Sequence, residues 1–410
     1  MSVRSVAGLV ITSPPAKGHR RRVMVGTFVH SYRWGSQIRG DERGYIEKVK
    51  AYRALGIEFF TLEKRPSIQD GMKVRIYTSL GLRDCTVPPA GVGDLMLLCL
   101  YSLRAGVRKY PARPLAVYAY NQDIENVLVG YLLKVLLGAP LVVVYHQVRP
   151  AAFTPFRLGV TSRLRRGFNP GGAVLRSLLP AFNKYAASHA DKHIALSGAT
   201  KKDVEKYLGI KDCTVIGNGL DTEKFRPLRT PKTCDAVFLG RLAPQKGVDV
   251  LLRAWSEVVR QSPSARLVLL GGGDPEEVSL YKKQAEELLL EQNVTFAGFV
   301  DDDELVRTLN SARLFVFPSR QEGFAQAVSQ AMGCGLCCIL SDIPPLREVY
   351  GEAAAFVPVD DPSALARKII EMLGESETRD KLADRARQLA LKFSWDDTVR
   401  RELAEITGAD

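Results

Sequence analysis

Short apolar runs alternate with amphipathic stretches along the chain, at the spacing typical of strands that alternate with helices. In the first half, apolar runs predict strands at residues 22–29, 57–62, 115–120, 141–145, 193–196 and 214–216. Stretches with helical periodicity lie between some of them, at residues 45–55 and 124–137. This alternation is typical of βαβ units built around a parallel sheet.

The second half repeats the alternation. Its apolar runs predict strands near residues 236–240, 266–271, 294–297, 314–317 and 336–340, with helices between them. The two sets meet near Gly217-Asn218-Gly219, and 410 residues are enough for two domains that each bury a core. The pattern therefore predicts an α/β protein with two Rossmann-like, doubly wound parallel-sheet domains that face a cleft.

The longest apolar stretch, residues 127–145, contains a single charged residue, Lys134. Gly138-Ala139-Pro140 divides it, and the residues that follow are mostly β-branched. We therefore predict a buried helix, a turn and a buried strand rather than a membrane span. The short apolar run at residues 6–11 ends at two prolines and a basic cluster, so it does not predict a signal peptide.

Composition indicates the class of protein and its compartment. Hydrophobic residues make up 46% of the chain and charged residues 25%, as in soluble globular proteins. The seven cysteines are too scattered for a disulfide framework. The C-x-x-C at Cys334 to Cys337 lacks the second pair that a zinc ribbon needs. We predict buried, reduced thiols and a cytoplasmic protein.

Charge is distributed unevenly between the halves. Residues 1–230 carry 36 Lys and Arg against 16 Asp and Glu, a net charge of +20. Residues 231–410 carry 21 against 29, a net charge of −8. A basic first half predicts an anionic ligand, or an anionic surface that presents one.

Two turns in the second half carry the candidate chemistry. The strand predicted at 236–239 runs into Gly240-Arg241-Leu242-Ala243-Pro244-Gln245-Lys246-Gly247 and then a helix. The strand at 314–317 runs into residues 318–324 and another helix. A helix N-terminus after such a turn presents unpaired N–H groups and a positive dipole end to an anion. Both turns are therefore suited to anion binding.

The side chains at these turns are complementary. Arg241 and Lys246 place two cations beside the first turn, and Glu322 places a hydrogen-bond acceptor beside the second. Fixed cations and amides stabilise phosphate charge without a metal. The pair of turns therefore suits a ligand with a phosphate half and a polyol half.

These residues resemble the motifs of retaining glycosyltransferases with the GT-B fold, in glycosyltransferase family 4. The matching motifs are Asn218-Gly219-Leu220-Asp221 with Phe225 and Pro227, Gly240 to Gly247, Gly271-Gly272-Gly273-Asp274, Val294 to Phe299, and Pro318-Ser319 with Glu322-Gly323-Phe324, Ala331-Met332 and Gly335. Each motif alone is weak, but the ordered set is specific. The resemblance extends over nearly the whole chain and is dense from Ser197 to Asp361.

The resemblance implies an N-terminal acceptor-binding domain at 1–218, a C-terminal nucleotide-sugar-binding domain at 219–392, and a C-terminal helix at 393–410 that returns to the first domain. It implies that a hexose moves, with retention and without a metal, from a UDP- or GDP-linked donor. The acceptor would be a hydroxyl of a lipid-linked, glycan or other anionic molecule. No cofactor is expected, because the nucleotide sugar is a substrate.

The resemblance also assigns roles in the second domain. Arg241 and Lys246 are expected to neutralise the diphosphate, and Glu322 to bind hydroxyls of the donor sugar. Gln330 stands where the family has a second glutamate that holds the ribose; the missing charge lowers the expected nucleotide affinity by about 1–2 kcal/mol. Further donor contacts are expected from Gly240, Gly298, Phe299, Gly323 and Phe324.

In the first domain, His146 follows a predicted strand, at the edge where parallel sheets bind ligands. The resemblance assigns it a contact with the donor sugar or the acceptor; a hydrogen bond to nearby backbone is the alternative. His30 is a weaker candidate, and His19, His189 and His193 are interpreted as structural. A glycine-rich phosphate loop matches residues 34–43, which places Gly35 and Gly40 beside the diphosphate. A turn with a helix cap explains that segment nearly as well.

Two other segments could bind ligands. The acidic run Asp301-Asp302-Asp303 precedes a predicted helix, where acidic side chains favour the positive helix end, so we predict capping and no metal. Residues 150–168 interleave aromatic and basic side chains. This pattern suits docking on an anionic membrane, at about 1 kcal/mol for each cation, or a loop packed over the site. No recognition motif accompanies the charge, so nucleic-acid binding is not expected.

Three rival activities fit parts of the pattern. A nucleotide-sugar epimerase would use the same fold without an acceptor. In a catalytically silent scaffold, Gln330 would mark a site that has lost its activity. An NAD-dependent dehydrogenase would use Gly271 to Asp274, but the full G-x-G-x-x-G with a distal acidic residue is missing.

Overall fold

The computed structural model describes residues 22–29, 40–66, 72–78, 81–87, 114–148 and 181–408. The strands of the N-terminal half are β1 (Arg22–Val29), β2 (Ile57–Pro66), β3 (Met72–Thr78), β4 (Gly81–Val87), β5 (Ala116–Ala119), β6 (Leu141–Tyr145), β7 (Lys192–Ala195) and β8 (Thr214–Val215). They form one sheet in the spatial order β4-β3-β2-β1-β5-β6-β7-β8. Its described helices are α1 (Gly40–Ala54), α2 (Ile124–Leu137) and α3 (Gly198–Leu208), and residues 181–188 are also helical.

The centre of this sheet is parallel, as predicted. β1 pairs in parallel with β2 and β5, and β5 pairs in parallel with β6. β3 and β4 instead form an antiparallel hairpin beside β2, which the sequence analysis did not predict. The hairpin extends one edge of the sheet and leaves the predicted βαβ core unchanged.

The second sheet has six strands: β9 (Cys234–Leu239), β10 (Leu267–Leu270), β11 (Val294–Gly298), β12 (Ala312–Phe317), β13 (Cys337–Ser341) and β14 (Ala355–Val357). All its pairings are parallel, in the order β11-β10-β9-β12-β13-β14. Its helices are α4 (Val248–Gln261), α5 (Pro275–Glu287), α6 (Asp302–Ser311), α7 (Gln326–Gly333), α8 (Pro344–Tyr350), α9 (Pro362–Gly374), α10 (Ser376–Ala390) and α11 (Trp395–Thr407). The predicted strands of this half are confirmed; β14 was not predicted.

Aromatic side chains fill the core around the second sheet. The Phe317 ring stacks on Phe238 of the neighbouring strand and on Phe315 of its own strand. Trp255 of α4 is fully buried against this core. Burial of each such side chain stabilises the fold by roughly 1.5–3 kcal/mol. The strands of the second sheet are therefore held by a well-packed core.

The apolar stretch at 127–145 folds as predicted. α2 ends at Gly138, whose φ of 60° places it in the left-handed region, and the fully buried β6 follows. Within the ranges that the structure describes, no helix is long and apolar enough to cross a membrane.

The density of contacts divides the chain into two compact units. The first comprises residues 1–35, 52–143 and 154–191, and the second comprises residues 36–51, 144–153 and 192–410. The domain limits predicted at 218–219 and 392–393 stay predictions. The contacts described below lie within the second unit, apart from that of His189.

The C-terminal helix α11 is held by ion pairs to the N-terminal half of the chain. The carboxylate of Glu402 accepts a hydrogen bond from the Lys48 ammonium of α1 at 2.6 Å, and both side chains are buried. Glu405 accepts from Lys192 and from the Thr214 hydroxyl, each at 2.8 Å. These contacts all lie within one compact unit, and the predicted return of the helix to the first domain stays a prediction.

Candidate active site

Four loops singled out in the sequence lie at one edge of the second sheet. β9 pairs in parallel with β10 and β12, and β10 pairs in parallel with β11. Because the carboxyl ends of parallel strands meet at the same edge, the loops that follow these strands are neighbours, where such folds bind ligands. The predicted positions in these loops are Gly240, Arg241, Lys246, Gly298, Phe299, Glu322, Gly323 and Phe324.

The loop after β9 (240–247, the β9 loop) contacts the loop after β12 (318–325, the β12 loop). Gly247 has a φ of 68°, and a Cβ there would overlap the carbonyl oxygen of Pro318, so this position requires glycine. The Arg320 N–H donates to the carbonyl oxygen of Gln245 at 2.8 Å. The backbones of the two loops are thereby held together.

Lys246 and Glu322 form an ion pair across these loops, with Nζ and Oε1 2.5 Å apart. The Glu322 side chain is only 8% exposed, and the hydroxyl of the buried Ser319 donates to the same oxygen at 2.7 Å. The Lys246 ammonium also lies 5.3 Å from the centre of the Phe317 ring. An ammonium has three protons, so Lys246 can hold Glu322 and still donate to a phosphate oxygen.

Arg241 is exposed at the start of the β9 loop and makes no ion pair with any residue in the described ranges. The backbone beside it is fixed, because the N–H of the buried Leu242 donates to the carbonyl oxygen of Gly272 at 2.8 Å. Arg241 therefore offers a guanidinium on a rigid base to an anion at this edge.

Arg320, which the sequence analysis did not select, connects three segments. Its Nη1 and Nη2 donate to the two carboxylate oxygens of Asp249 at 2.9 and 2.8 Å. Its Nε donates to Asp360 at 2.6 Å, and Nη1 also contacts the carbonyl oxygen of Pro244. These contacts raise the pKa of Arg320, with the Asp249 hydrogen bonds as the main cause.

An aromatic ring lies at the other end of the same edge. Phe299 is 48% exposed, and its ring packs over Gly272. The N–H of Gly271 donates to the carbonyl oxygen of Gly298 at 2.7 Å, which joins the loops after β10 and β11. This half-exposed ring gives the edge a flat apolar surface beside its cations.

His146 is placed beside the β12 loop. Its carbonyl oxygen lies so close to Gly323 that a Cβ at position 323 would overlap it. The residue after β6 and the turn that carries Glu322 are therefore adjacent. The role of His146 in binding sugar or acceptor stays a prediction.

A buried tyrosine, also missed in the sequence, fixes the end of the β12 loop. The Tyr350 hydroxyl donates to the carbonyl oxygen of Phe324 at 2.5 Å and lies 3.0 Å from the Ser329 hydroxyl. Burial raises the pKa of Tyr350, so it stays neutral. The Phe324 ring is buried near Tyr350 and Phe393, so its side chain packs the loop. Its predicted contact with the donor stays a prediction.

The remaining predicted positions lie in helices or outside the described ranges. Gln330 is half-buried on α7, and its carbonyl oxygen accepts from Cys334 at 3.1 Å. Gly40 is the first residue of α1. Gly35, His19, His30 and residues 150–168 lie outside the described residues.

Two histidines interpreted as structural make local contacts. His193 stacks on Tyr145, and its Nδ1 lies 3.0 Å from the tyrosine hydroxyl. His189 Nδ1 lies 2.8 Å from the carbonyl oxygen of Tyr185. Neither contact involves the loops of the second sheet.

The predicted cap and the predicted thiols are both confirmed. The Asp301 carboxylate accepts from the Glu304 N–H at 2.8 Å and caps α6, while Asp302 contacts Lys224. Five cysteines are free and buried: Cys213, Cys234, Cys334, Cys337 and Cys338. Burial raises the pKa of the Cys334 and Cys337 thiols to about 12, which keeps them protonated. In the part of the chain that the structure describes, no cluster of His, Cys, Asp or Glu could hold a metal ion.

Two family models match the chain, in adjoining segments. The model described as Glycosyltransferase Family 4 matches residues 39–224, and the model described as Glycosyl transferases group 1 matches residues 221–389. The second match includes all four loops at the edge of the second sheet.

Curated relatives carry glycosyltransferase names. A phosphatidyl-myo-inositol mannosyltransferase of Mycolicibacterium smegmatis is 31% identical over 213 residues, which cover 49% of this chain and 53% of that protein. A D-inositol 3-phosphate glycosyltransferase of Segniliparus rotundus is 28% identical over 442 aligned positions, covering 99% of this chain and 92% of that protein. With several of its relatives, the match spans about half of their length.

Solved structures share the fold. A sucrose-phosphate synthase from Thermosynechococcus elongatus superimposes with a TM-score of 0.75 at 20% identity, covering 95% of this chain and 100% of the other. The Anabaena protein HepE, in complex with UDP and glucose, superimposes with a TM-score of 0.68 at 18% identity and the same coverage. The two α/β domains of the present chain therefore have the GT-B fold, and the chain belongs to the group 1 glycosyltransferases of family 4.

Proposed function

We propose that this protein is a metal-independent glycosyltransferase that moves a hexose from a UDP- or GDP-linked donor to a hydroxyl, with retention. The observation that carries the proposal is the Lys246–Glu322 pair beside the exposed Arg241, at one sheet edge. The pair and Arg241 offer cations for a diphosphate and an acceptor for sugar hydroxyls. The UDP and glucose in the HepE complex, a structure of the same fold, support this class of donor.

In the proposed reaction, the bond between the anomeric carbon and the diphosphate oxygen breaks. A bond from that carbon to the acceptor oxygen forms, and the acceptor proton leaves with the nucleoside diphosphate. Arg241 and Lys246 stabilise the charge that develops on the departing diphosphate. Glu322 binds sugar hydroxyls, with its position held by Ser319, and His146 orients the sugar or the acceptor.

We propose that the acceptor is anionic. The net charge of +20 in residues 1–230 would attract a phosphorylated alcohol, free or lipid-linked. The names of the two relatives contain phosphatidyl-myo-inositol and inositol 3-phosphate, which supports an acceptor of this chemistry. A lipid-linked acceptor would be bound at the cytoplasmic face of an anionic membrane.

A panel of UDP- and GDP-sugars, first by thermal shift and then with phosphorylated alcohols as acceptors, tests the proposal. Mass spectrometry should detect a glycosylated acceptor, and EDTA should not lower the rate. NMR of the product should show the same anomeric configuration as in the donor. Arg241→Ala should abolish turnover with folding intact, whereas Arg307→Ala, which removes an exposed pair with Glu304, should not.

Other outcomes contradict the proposal in distinct ways. A converted donor without an acceptor would indicate an epimerase. Tight nucleotide binding without any turnover would indicate a scaffold. Turnover by Arg241→Ala at the wild-type rate would refute the assigned site.

A further inference from the structure

We propose that Arg320 is a positioning residue that locks the β9 loop to the β12 loop and so holds Lys246 in register with Glu322. The purpose of the lock rests on the proposed function, but the lock itself can be measured without turnover. Arg320 lies two residues before Glu322 in the chain, and its side chain points back to the segment that carries Lys246.

The first part of the lock is a set of contacts from Arg320 to residues that precede and follow Lys246 in the chain. The carbonyl oxygen of Pro244 and the carboxylate of Asp249, in the first turn of α4, both contact the guanidinium. The Arg320 N–H adds a hydrogen bond to the carbonyl oxygen of Gln245. One residue of the β12 loop thus binds the 244–249 segment at three points.

The second part anchors Arg320 to the turn that follows β14, two strands along the sheet from β12. Its Nε donates to Asp360, a non-glycine residue with a φ of 58° in the turn before α9. The next residue, Asp361, caps α9 by accepting from the Ala364 N–H at 2.8 Å. The guanidinium is therefore fixed between two helix N-terminal segments.

Each nitrogen of the guanidinium donates to a carboxylate oxygen. Charge-assisted, forked contacts of this kind are strong and directional, and a lysine cannot reproduce them. Because four of its five N–H donors are engaged, Arg320 orients the loops rather than meeting the diphosphate itself. This distinguishes it from Arg241, which is exposed and has no ion pair in the described ranges.

The pKa of Asp249 supports a persistent ion pair between Asp249 and Arg320. Burial raises the pKa of Asp249, but the hydrogen bonds and charge of Arg320, with smaller contributions from its own backbone N–H and from Arg253, together lower it. Without Arg320, this carboxylate would keep a contact with Arg253 at 3.3 Å. Loss of Arg320 should therefore loosen the lock. The charge of Asp249 would still be partly neutralised by Arg253, and the fold should remain.

The test compares Arg320→Ala, Arg320→Lys and Asp249→Asn with the control Arg307→Ala, by hydrogen exchange and kinetics. Three amides report on the lock, because each donates to a loop carbonyl: those of Lys246, Gly247 and Arg320. In Arg320→Ala their exchange should be at least about tenfold faster, while amides of β9 and β12 stay protected. The donor kcat/KM should fall about 10- to 100-fold.

Arg320→Lys, which keeps the charge but not the fork, should lose activity with a melting temperature within about 2 °C of wild type. Asp249→Asn should behave in the same way, and Arg307→Ala should match wild type. Unchanged exchange in Arg320→Ala would overturn the lock, whatever the activity. Faster exchange with kcat/KM within about twofold of wild type would overturn its positioning role. If wild type turns over no nucleotide sugar, the proposed function fails, and the exchange data still decide the lock.

Discussion

Gly323 lies directly against the carbonyl oxygen of His146, with no space between them for a side chain. The contact joins residues far apart in the sequence: one follows a strand of the first sheet, and the other lies beside Glu322 in the β12 loop. The geometry of the β12 loop therefore depends on the absence of a side chain at position 323.

Gly323→Ala should displace this loop, because even a methyl group overlaps the His146 carbonyl. We expect a loss of about 1–3 kcal/mol in the free energy of unfolding and at least about a tenfold loss in donor turnover. Urea unfolding and steady-state kinetics measure both. The control is Gly374→Ala at the end of α9, where nothing lies within 4 Å, and it should be neutral or slightly stabilising. Equal unfolding free energies and equal turnover for Gly323→Ala and Gly374→Ala would contradict the prediction.

Glu322→Gln should lower the donor kcat/KM about ten- to a hundredfold, because a neutral amide loses the charged contact with Lys246 and accepts hydroxyl protons more weakly. Kinetics with the preferred nucleotide sugar measure the change. Glu304→Gln on α6 removes a carboxylate whose pair with Arg307 is exposed, and should leave the rate unchanged. A wild-type rate in Glu322→Gln would argue that the sugar binds elsewhere.

The buried pair Lys48–Glu402 should couple strongly in stability. Removal of one partner by Lys48→Met or Glu402→Leu leaves the other charge buried and should cost about 3–5 kcal/mol. The double variant should recover most of that loss, since two apolar side chains can fill the same space. Urea unfolding of the four proteins gives the coupling energy. Additive losses would mean that the two side chains do not act as a pair.

Glu405 should make part of the stability pH-dependent. The hydrogen bond from Lys192, and then that from Thr214, lower its pKa below the ordinary value of 4.5, although burial opposes this. A carboxyl with a lowered folded-state pKa stabilises the fold above its ordinary pKa, and this contribution is lost as pH falls through the folded value. The difference in unfolding free energy between wild type and Glu405→Gln should therefore be constant from pH 7 to about 5 and shrink below 4.5. A difference that is the same at pH 3 would contradict this.

The strand, turn and helix units were predictable because local patterns determine them. α2 and β6 follow from a continuous apolar stretch divided by Gly138, whose left-handed φ ends the helix. The Asp301 cap follows from an acidic residue just before a helical period. The loops of the second sheet could be located for the same reason, since each follows an apolar run.

Other features depend on contacts between distant residues and had weak local signals. Arg320 joins Asp249 and Asp360, which are 71 and 40 positions away, so no spacing rule selects it. The adjacency of His146 and Gly323 likewise arises only from folding. The hairpin β3–β4 did have a signal, the alternation of apolar and basic residues from Met72 to Ile76, which indicates a strand.

The ion pair between Lys246 and Glu322 has a consequence for ionic strength. The two charges cancel at a distance, and Arg320 is compensated by two carboxylates. Of these three cations, Arg241 is therefore the one whose charge is not compensated within the described ranges, and screening by salt acts on one such cation rather than three. Raising salt should slow nucleotide capture only modestly, whereas capture of a phosphorylated alcohol by the strongly basic first half should be far more sensitive.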